Sequence, residues 1–439
     1  MKYNNVYKPL MVQDDVLEIV EKCFKEENAG NSNARKEALY ELKKFLIKTG
    51  DGSYTLKSEG LENSSETMHT YHGGLEESLE KYVKPSHLIG KDAVHLIDIC
   101  SGLGYTAAVC LDYLNDESKN SIKNPNIRIE MVEISPLTLA TGLIIPSPLK
   151  SHEIIKRAIE DKLYSIGFLK SKLITKEIPE NIKINVHIVD ARDIVKKKSI
   201  FEIQETPNLN IKSNVTPHYS SNVNSDIKYD AIFLVPFSPR LSPELYTIEF
   251  LKGLRSLLKV NGMILTYTAS AAVRYSLIKT GLHVGEGPSF GRSGGTLASP
   301  SNEFIEKQLS SRDERMIALT DAGTPFRDKE LNNSSFNIIE RRKNERINVR
   351  KEYKFASTVK SPVYLCNDIN EGRLRRRVLK DLRRFGLEDL ICEKSKFLVC
   401  PQYKKCICGN GCKTLENSRE RVIEMEKRLN KIIELYKTG

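Results

Sequence analysis

The strongest constraint on this chain is an alternation that runs from about residue 94 to residue 300. Five apolar runs, "AVHLIDIC", "IRIEMVEI", "INVHIVDA", "YDAIFLVP" and "GMILTYT", are separated by stretches of helical periodicity such as "TAAVCLDYL" and "SPELYTIEFLKGLRSLLK". Strands this continuously apolar are buried on both faces, and strands alternating with helices build a parallel sheet covered on both sides. The predicted fold is therefore α/β, a mostly parallel Rossmann-like sheet. Ahead of it, residues 12–49 read as two helices, the second closing on Gly50 as a C-cap. Two polar segments, 115–126 and 199–228, read as surface loops inserted into the alternation. The pattern divides the chain into an N-terminal helical extension (1–65), the sheet domain (66–300), a charged linker or extension (301–365) and a basic, cysteine-rich C-terminal module (366–439).

In an open sheet of this kind, ligands bind outside the carboxyl ends of the strands. The first strand ends in "LIDICSGLGYT", which carries Asp98 and the glycine pair Gly102 and Gly104. A glycine turn lets backbone approach a ligand because no Cβ intervenes. The second strand ends at Glu133 and the third at Asp190. An acid at the second strand tip can accept both hydroxyls of a ribose, and one at the third can accept the exocyclic amine of an adenine. A dinucleotide would call for a third glycine, but position 107 is alanine. The pattern fits an adenosine ligand without a pyrophosphate, and S-adenosyl-L-methionine is the candidate.

Charge and cysteines bear on partners. The net charge is +11, and residues 340–384 hold fifteen Lys or Arg against six Asp or Glu. A polyanionic partner suits such a balance. Arg373, Arg375, Arg376, Arg377, Arg383 and Arg384 fall within three helical turns and form a candidate RNA-binding surface. No apolar run reaches the ~18–20 residues of a membrane helix, and the first residues lack the apolar stretch of a secretory signal. The expectation is a soluble, cytoplasmic protein with no membrane partner. Of nine cysteines, Cys400, Cys406, Cys408 and Cys412 lie within thirteen residues. Four thiolates suit tetrahedral zinc or an iron–sulfur cluster.

Several segments, in order, resemble class I methyltransferases, and more narrowly the methyltransferase domain of MnmC-like tRNA-modifying enzymes. "GGLEES" (73–78) is similar to the family's GLEE segment, "DICSGLGYT" to its cofactor loop and "EISPLTLA" (133–140) to its acid-x-x-PLT turn. "FLVPFSPRLSPELY" (233–246) resembles FLDGFAP-x-x-NP-x-x-W, and "SFGRSGGTLAS" lies near the closing glycine–arginine motif. The resemblance covers about residues 70–300. It implies methyl transfer from S-adenosyl-L-methionine to an aminomethyl group on a modified wobble uridine of tRNA. Asp98, Gly102 and Gly104 would then line the methionine part of the cofactor, Glu133 the ribose and Asp190 the adenine, with Gly73, Gly74 and Pro236 also at the cofactor.

One position departs from the family. Where FLDGF has an aspartate that holds or deprotonates the amine, this chain has Val235. A protonated alkylamine cannot attack, so another group must take its proton. Glu66, His69, His72, Ser238, Arg240 and Tyr267 are the polar candidates, with Ser238, Tyr267 and His72 assigned first. Two other readings stand beside this one: a non-catalytic S-adenosyl-L-methionine-binding RNA protein, and a methyltransferase acting on a protein or small-molecule amine. MnmC proteins in full form also carry a flavin oxidoreductase domain. Nothing after residue 300 resembles its G-x-G-x-x-G, so a separate enzyme would supply the amine.

Overall fold

A computed structural model describes residues 9–59, 65–118, 124–196, 228–291 and 294–438. The alternation of side chains along its central strands decides the layering. On β3 (Ala93–Ile99), Val94 and Leu96 face one side while Ile97 and Ile99 face the other. On β6 (Tyr229–Leu234), Ala231 and Phe233 oppose Ile232 and Leu234. Both sets are buried, so each strand joins two cores, as the continuous apolar runs require.

The remaining strands are β4 (Asn126–Glu133), β5 (Ile182–Ile188), β7 (Leu258–Thr266), β8 (His283–Glu286) and β9 (Thr296–Ser299). They form a seven-stranded sheet in the order β5-β4-β3-β6-β7-β9-β8. The first five pair in parallel, while β9 pairs antiparallel with both β7 and β8. The five predicted strands are all present. The β8–β9 edge was not predicted as strand, because four-residue segments containing Gly285 or small polar residues carry no clear apolar run.

The first face is covered by α1 (Asp14–Asn28), α4 (Tyr105–Ser118), α5 (Pro136–Ile144) and α6 (His152–Ser165). Of the two N-terminal helices predicted, the second, α2 (Ala34–Leu42), stops well before Gly50. Ile47–Lys48 instead pairs antiparallel with Tyr54–Thr55 as the β1–β2 hairpin, whose turn contains Gly52 at φ +83°. Strand pairing there overrides the helical periodicity. The short helix α3 (Gly74–Ser78) follows. The predicted loop 115–126 begins as the last turn of α4, and the predicted loop 199–228 lies almost wholly outside the described residues.

The second face is covered by α7 (191–196), α8 (Ile248–Leu257), α9 (Ala271–Lys279) and α10 (Ser311–Leu319). The same apolar cluster continues without a break into α13 (Gly372–Arg383) through Val378 and Leu382, and into α15 (Ser418–Thr438) through Val422, Met425 and Leu429. Between them come α11 (Ser335–Glu352), α12 (Ser361–Tyr364) and α14 (Glu393–Val399). Polar anchors reinforce this join. The Tyr275 hydroxyl on α9 donates to Glu426 on α15 at 2.5 Å, and Arg421 pairs with the buried Glu314 of α10 at 2.7 Å. No helix among the described residues is long and apolar enough to cross a membrane.

Candidate active site

The chain runs outward from β3 to β5, returns to the sheet centre, and runs outward again from β6. The crevice between β3 and β6 is therefore the switch point where ligands bind in such sheets. A cavity opens there, at the carboxyl ends of the strands. It is lined by Cys100, Ser101 and Gly102 after β3, Glu133 after β4, Asp190 after β5, and Val235, Pro236 and Phe237 after β6. Tyr267 after β7 and Glu244 before α8 complete that side. Met68, His69, Thr70, Glu77 and Tyr82 close the other.

The loop after β3 is held by Glu133. Its carboxylate accepts from the Gly102 amide and the Ser135 amide, both at 3.1 Å. Burial raises the pKa of this acid, and those amides oppose the rise. Gly102 sits at φ +52°, and a Cβ there would lie 2.6 Å from the Met68 methyl. Gly104, at φ +81°, does not line the cavity. A Cβ there would lie 2.7 Å from Ile155, so this glycine serves close packing of α6. Cys100 occupies the left-handed region at φ 65° despite its side chain, and burial holds its thiol well above the usual range.

Asp98 stands behind the cavity wall rather than in it. It is fully buried, and neither carboxylate oxygen has a hydrogen-bond partner among the described residues. The Ser101 hydroxyl donates to the Asp98 main-chain carbonyl at 2.8 Å. Burial pushes the Asp98 carboxyl up to about 7. An unpaired buried acid is costly and suits a site completed by a cationic ligand.

Asp190 lines the cavity, but both of its oxygens also hold the Arg192 side chain, at 2.8 Å to Nη2. Arg192 continues to Asp328 at 3.3 Å and to the Asn333 carbonyl at 2.9 Å. Gly73 and Gly74 do not line the cavity. They open α3, where the Leu75 and Glu76 amides donate to Asp51 at 2.8 and 2.9 Å. A Cβ on Gly73 would overlap that carboxylate. These glycines thus place Glu77, which lines the cavity and accepts from the Thr70 amide at 2.9 Å.

The three first-assigned catalytic candidates separate. Tyr267 lines the cavity. His72 does not, and its ring lies edge-on to Phe290, with centroids 6.1 Å apart. Ser238 does not line it either. Its hydroxyl and amide donate to Glu66 at 2.6 and 3.0 Å. His69 does line the cavity, and burial lowers its pKa, so it is neutral near pH 7. The sequence reading passed over Glu77, Glu244, Tyr82 and Cys100 as cavity residues. Three of them carried a signal, since Glu77 lies in the "GGLEES" segment, Cys100 in "DICSGLGYT" and Glu244 in "FLVPFSPRLSPELY"; Tyr82 carried none.

Among the described residues, Glu77, Glu133, Asp190 and Glu244 line the cavity and no Lys or Arg does, while Arg192 and Lys81 pair with Asp190 and Glu77 from behind the wall. Such a surface disfavours a pyrophosphate and favours a ligand with positive charge.

Outside the lining of this cavity, the Sγ atoms of Cys400, Cys406, Cys408 and Cys412 lie within 4.8 Å of one another. Successive pairs are 3.8, 3.7 and 3.5 Å apart. Thiolates about 2.3 Å from one tetrahedral ion stand about 3.8 Å apart, so the set fits a single metal ion. An iron–sulfur cluster would place further atoms between them. The Ile407 amide donates to the Cys400 sulfur at 3.4 Å and Arg428 to the Cys412 sulfur at 3.3 Å. Amide hydrogen bonds, first from Cys412, bring the Cys406 thiol down to about 6. Cys392 stands apart and donates to the Ser395 hydroxyl at 3.3 Å.

The basic helix is α13. Its Val378 and Leu382 face the core, and Arg373, Arg376, Arg377, Lys380, Arg383 and Arg384 are exposed. Arg375 and Arg384 also form ion pairs, with Asp389 at 3.1 Å and Asp381 at 2.9 Å.

Three comparisons bear on this arrangement. A family model described as S-adenosyl-L-methionine-dependent methyltransferase matches residues 151–301. The "uncharacterized protein MJ0670" of Methanocaldococcus jannaschii is 33% identical over 369 residues, covering 83% of this chain and 89% of that protein. The crystal structure of MnmC2 from Aquifex aeolicus superposes with a TM-score of 0.51 at 21% identity, over 76% of this chain and 99% of that one.

The buried Asp98 makes a pH prediction. The unfolded chain gives up this proton near pH 4, while the folded chain keeps it to about pH 7. Between those values ionisation favours unfolding, and the penalty is complete above about pH 7. In urea unfolding without ligand, Asp98→Asn should gain stability over the parent as pH rises from 4 to 8, by at most about 4 kcal/mol. A difference that stays constant across that range would contradict the assignment.

Proposed function

This chain belongs to the S-adenosyl-L-methionine-dependent methyltransferases, with an MnmC-like fold, and we propose that its acceptor is an aminomethyl group on a modified wobble uridine of tRNA. The observation that carries the cofactor side of this reading is the cavity itself, with four carboxylates and, among the described residues, no basic side chain on its wall. S-adenosyl-L-methionine supplies an electrophilic methyl group on a sulfonium, next to an adenosine and an α-ammonium. Glu133 takes the ribose hydroxyls, Asp190 the adenine amine, and the Gly102 turn passes the methionine chain. Asp98, behind that turn, gains a compensating positive charge when the cofactor is bound.

The acceptor side rests on the resemblance of 70–300 and on charge. Arg373, Arg376, Arg377 and Arg383 give α13 an exposed cationic face suited to phosphates. The four-thiolate site holds zinc and fixes residues 400–412, a loop-rich segment with little core of its own. Through Arg428 that site is tied to α15, which packs on the catalytic domain.

Val235 favours a second reading, a binding protein without transfer. It lines the cavity where the family has an acid, and it accepts no proton.

The direct test incubates the protein with methyl-labelled S-adenosyl-L-methionine and two tRNA pools, one from normal cells and one from cells unable to make the aminomethyl uridine. Label is expected only in the first pool. Label in both would discard the proposed uridine, and none in either, with cofactor bound, would select the binding protein. Metal content gives an independent check. One zinc per chain is expected by mass spectrometry, lost in Cys408→Ser, and a metal-free wild-type protein with folded α15 would refute the zinc assignment.

A further inference from the structure

We infer that Glu66 is the catalytic residue that replaces the missing acid at Val235, receiving the proton of the acceptor amine; this rests on the acceptor reading above. Glu66 precedes Thr67 and Met68, which line the cavity, and Ser238 follows Pro236 and Phe237, which also line it. The two residues are 172 positions apart, yet the Ser238 hydroxyl and amide both donate to the Glu66 carboxylate, at 2.6 and 3.0 Å. Neither side chain is itself in the cavity wall, but each is next in sequence to a residue that is; Ser238 lies on the turn after β6, from which the family's aspartate would project, and its contact holds Glu66 beside that turn. Two donors fix the carboxylate in one orientation, and Arg240 stands 3.8 Å from it. Each oxygen keeps a lone pair for a further donor.

The other acids are less suited. Glu133 holds the β3 loop, Asp190 holds Arg192, and Glu244 accepts from Ser335 at 2.8 Å. Glu77 holds the Thr70 amide and lies 3.6 Å from the Lys81 ammonium. All but Asp190 are buried to within 8% of full burial, whereas the Glu66 side chain is 21% exposed. An acceptor carried on a large RNA arrives from outside, so a carboxylate at the edge meets it first. Ser238 is then a positioning residue for Glu66, rather than the proton acceptor itself.

An alkylammonium acceptor gives one proton from its nitrogen to the Glu66 carboxylate, and the freed lone pair forms the N–C bond to the methyl carbon. The C–S bond breaks with its electron pair remaining on sulfur, which turns the sulfonium into a neutral thioether. The methylated amine keeps its remaining protons and one positive charge, and Glu66 returns its proton to water.

The test compares wild type, Glu66→Gln, Glu66→Ala and Ser238→Ala on tRNA that carries the amine, with cofactor affinity measured by calorimetry in parallel. Removal of a general base typically costs 10²–10⁴-fold. Both Glu66 variants should lose at least about 100-fold in kcat while binding the cofactor within about threefold of wild type. The residual rate of Glu66→Ala should climb with pH as the amine deprotonates in solution, and added formate should partly restore it. Ser238→Ala should lose less than either. Glu66→Gln with wild-type kcat and pH profile would overturn the assignment, as would a loss matched by equal loss of cofactor affinity. If the wild-type protein itself transfers no methyl group to this tRNA, the acceptor reading falls and takes this one with it.

Discussion

The site depends on one ladder, the parallel pairing of β3 with β6. That pairing aligns Asp98 with Phe233 and Ile99 with Leu234, and its last rung is the Val235 amide on the Ile99 carbonyl at 3.1 Å. Two turns consequently leave the sheet side by side. One is the glycine turn after β3, and the other is the "VPFSP" turn after β6. Neither turn encloses anything alone. Held together at the point where strand order reverses, they form opposite walls of one crevice, which the strand-end acids and the 67–70 segment complete. A slip by one residue would turn Phe233 and Leu234 to the wrong faces and separate the walls.

That dependence explains why the sheet and its pocket were legible in the sequence, and the finer contacts were not. Continuous apolar runs closing on Asp98, Glu133 and Asp190 report the strands and their ends directly, because a strand buried on both faces reads as one unbroken apolar run. Short elements report nothing of the kind. The β8–β9 edge is set by the pairing of β9 with the distant β7, and the β1–β2 hairpin consists of two-residue strands too short to show a period. The contact of Glu66 with Ser238 spans 172 positions and leaves no local pattern. Gly73, Gly74 and Gly104 illustrate a different limit. Their motif spacing suggested ligand contact, but their space is taken by Asp51, His69 and Ile155. A glycine signals close approach without saying to what.

Residues 301–439 looked separable because their charge and cysteines differ from the rest. In the structure they are joined to the cofactor end of the sheet. Arg192 connects Asp190 to Asp328 and Asn333, and Ser335 at the start of α11 donates to Glu244 in the cavity wall. Further along the same helix, Arg346 pairs with Asp321 at 2.8 Å, and the Arg350 carbonyl accepts from Arg384 beside the basic helix α13. The exposed arginine face of α13 and the strand-end cavity thus share supports.

The central claim is that the strand-end cavity, through its carboxylates, holds S-adenosyl-L-methionine. Titration calorimetry with the purified protein and with Glu133→Gln tests it most directly. The account predicts one cofactor bound per chain, with about tenfold weaker binding in the variant, the loss expected when a charged acceptor of the ribose hydroxyls is replaced by a neutral amide. No binding by the folded wild-type protein, or equal affinity in a folded variant, would contradict it.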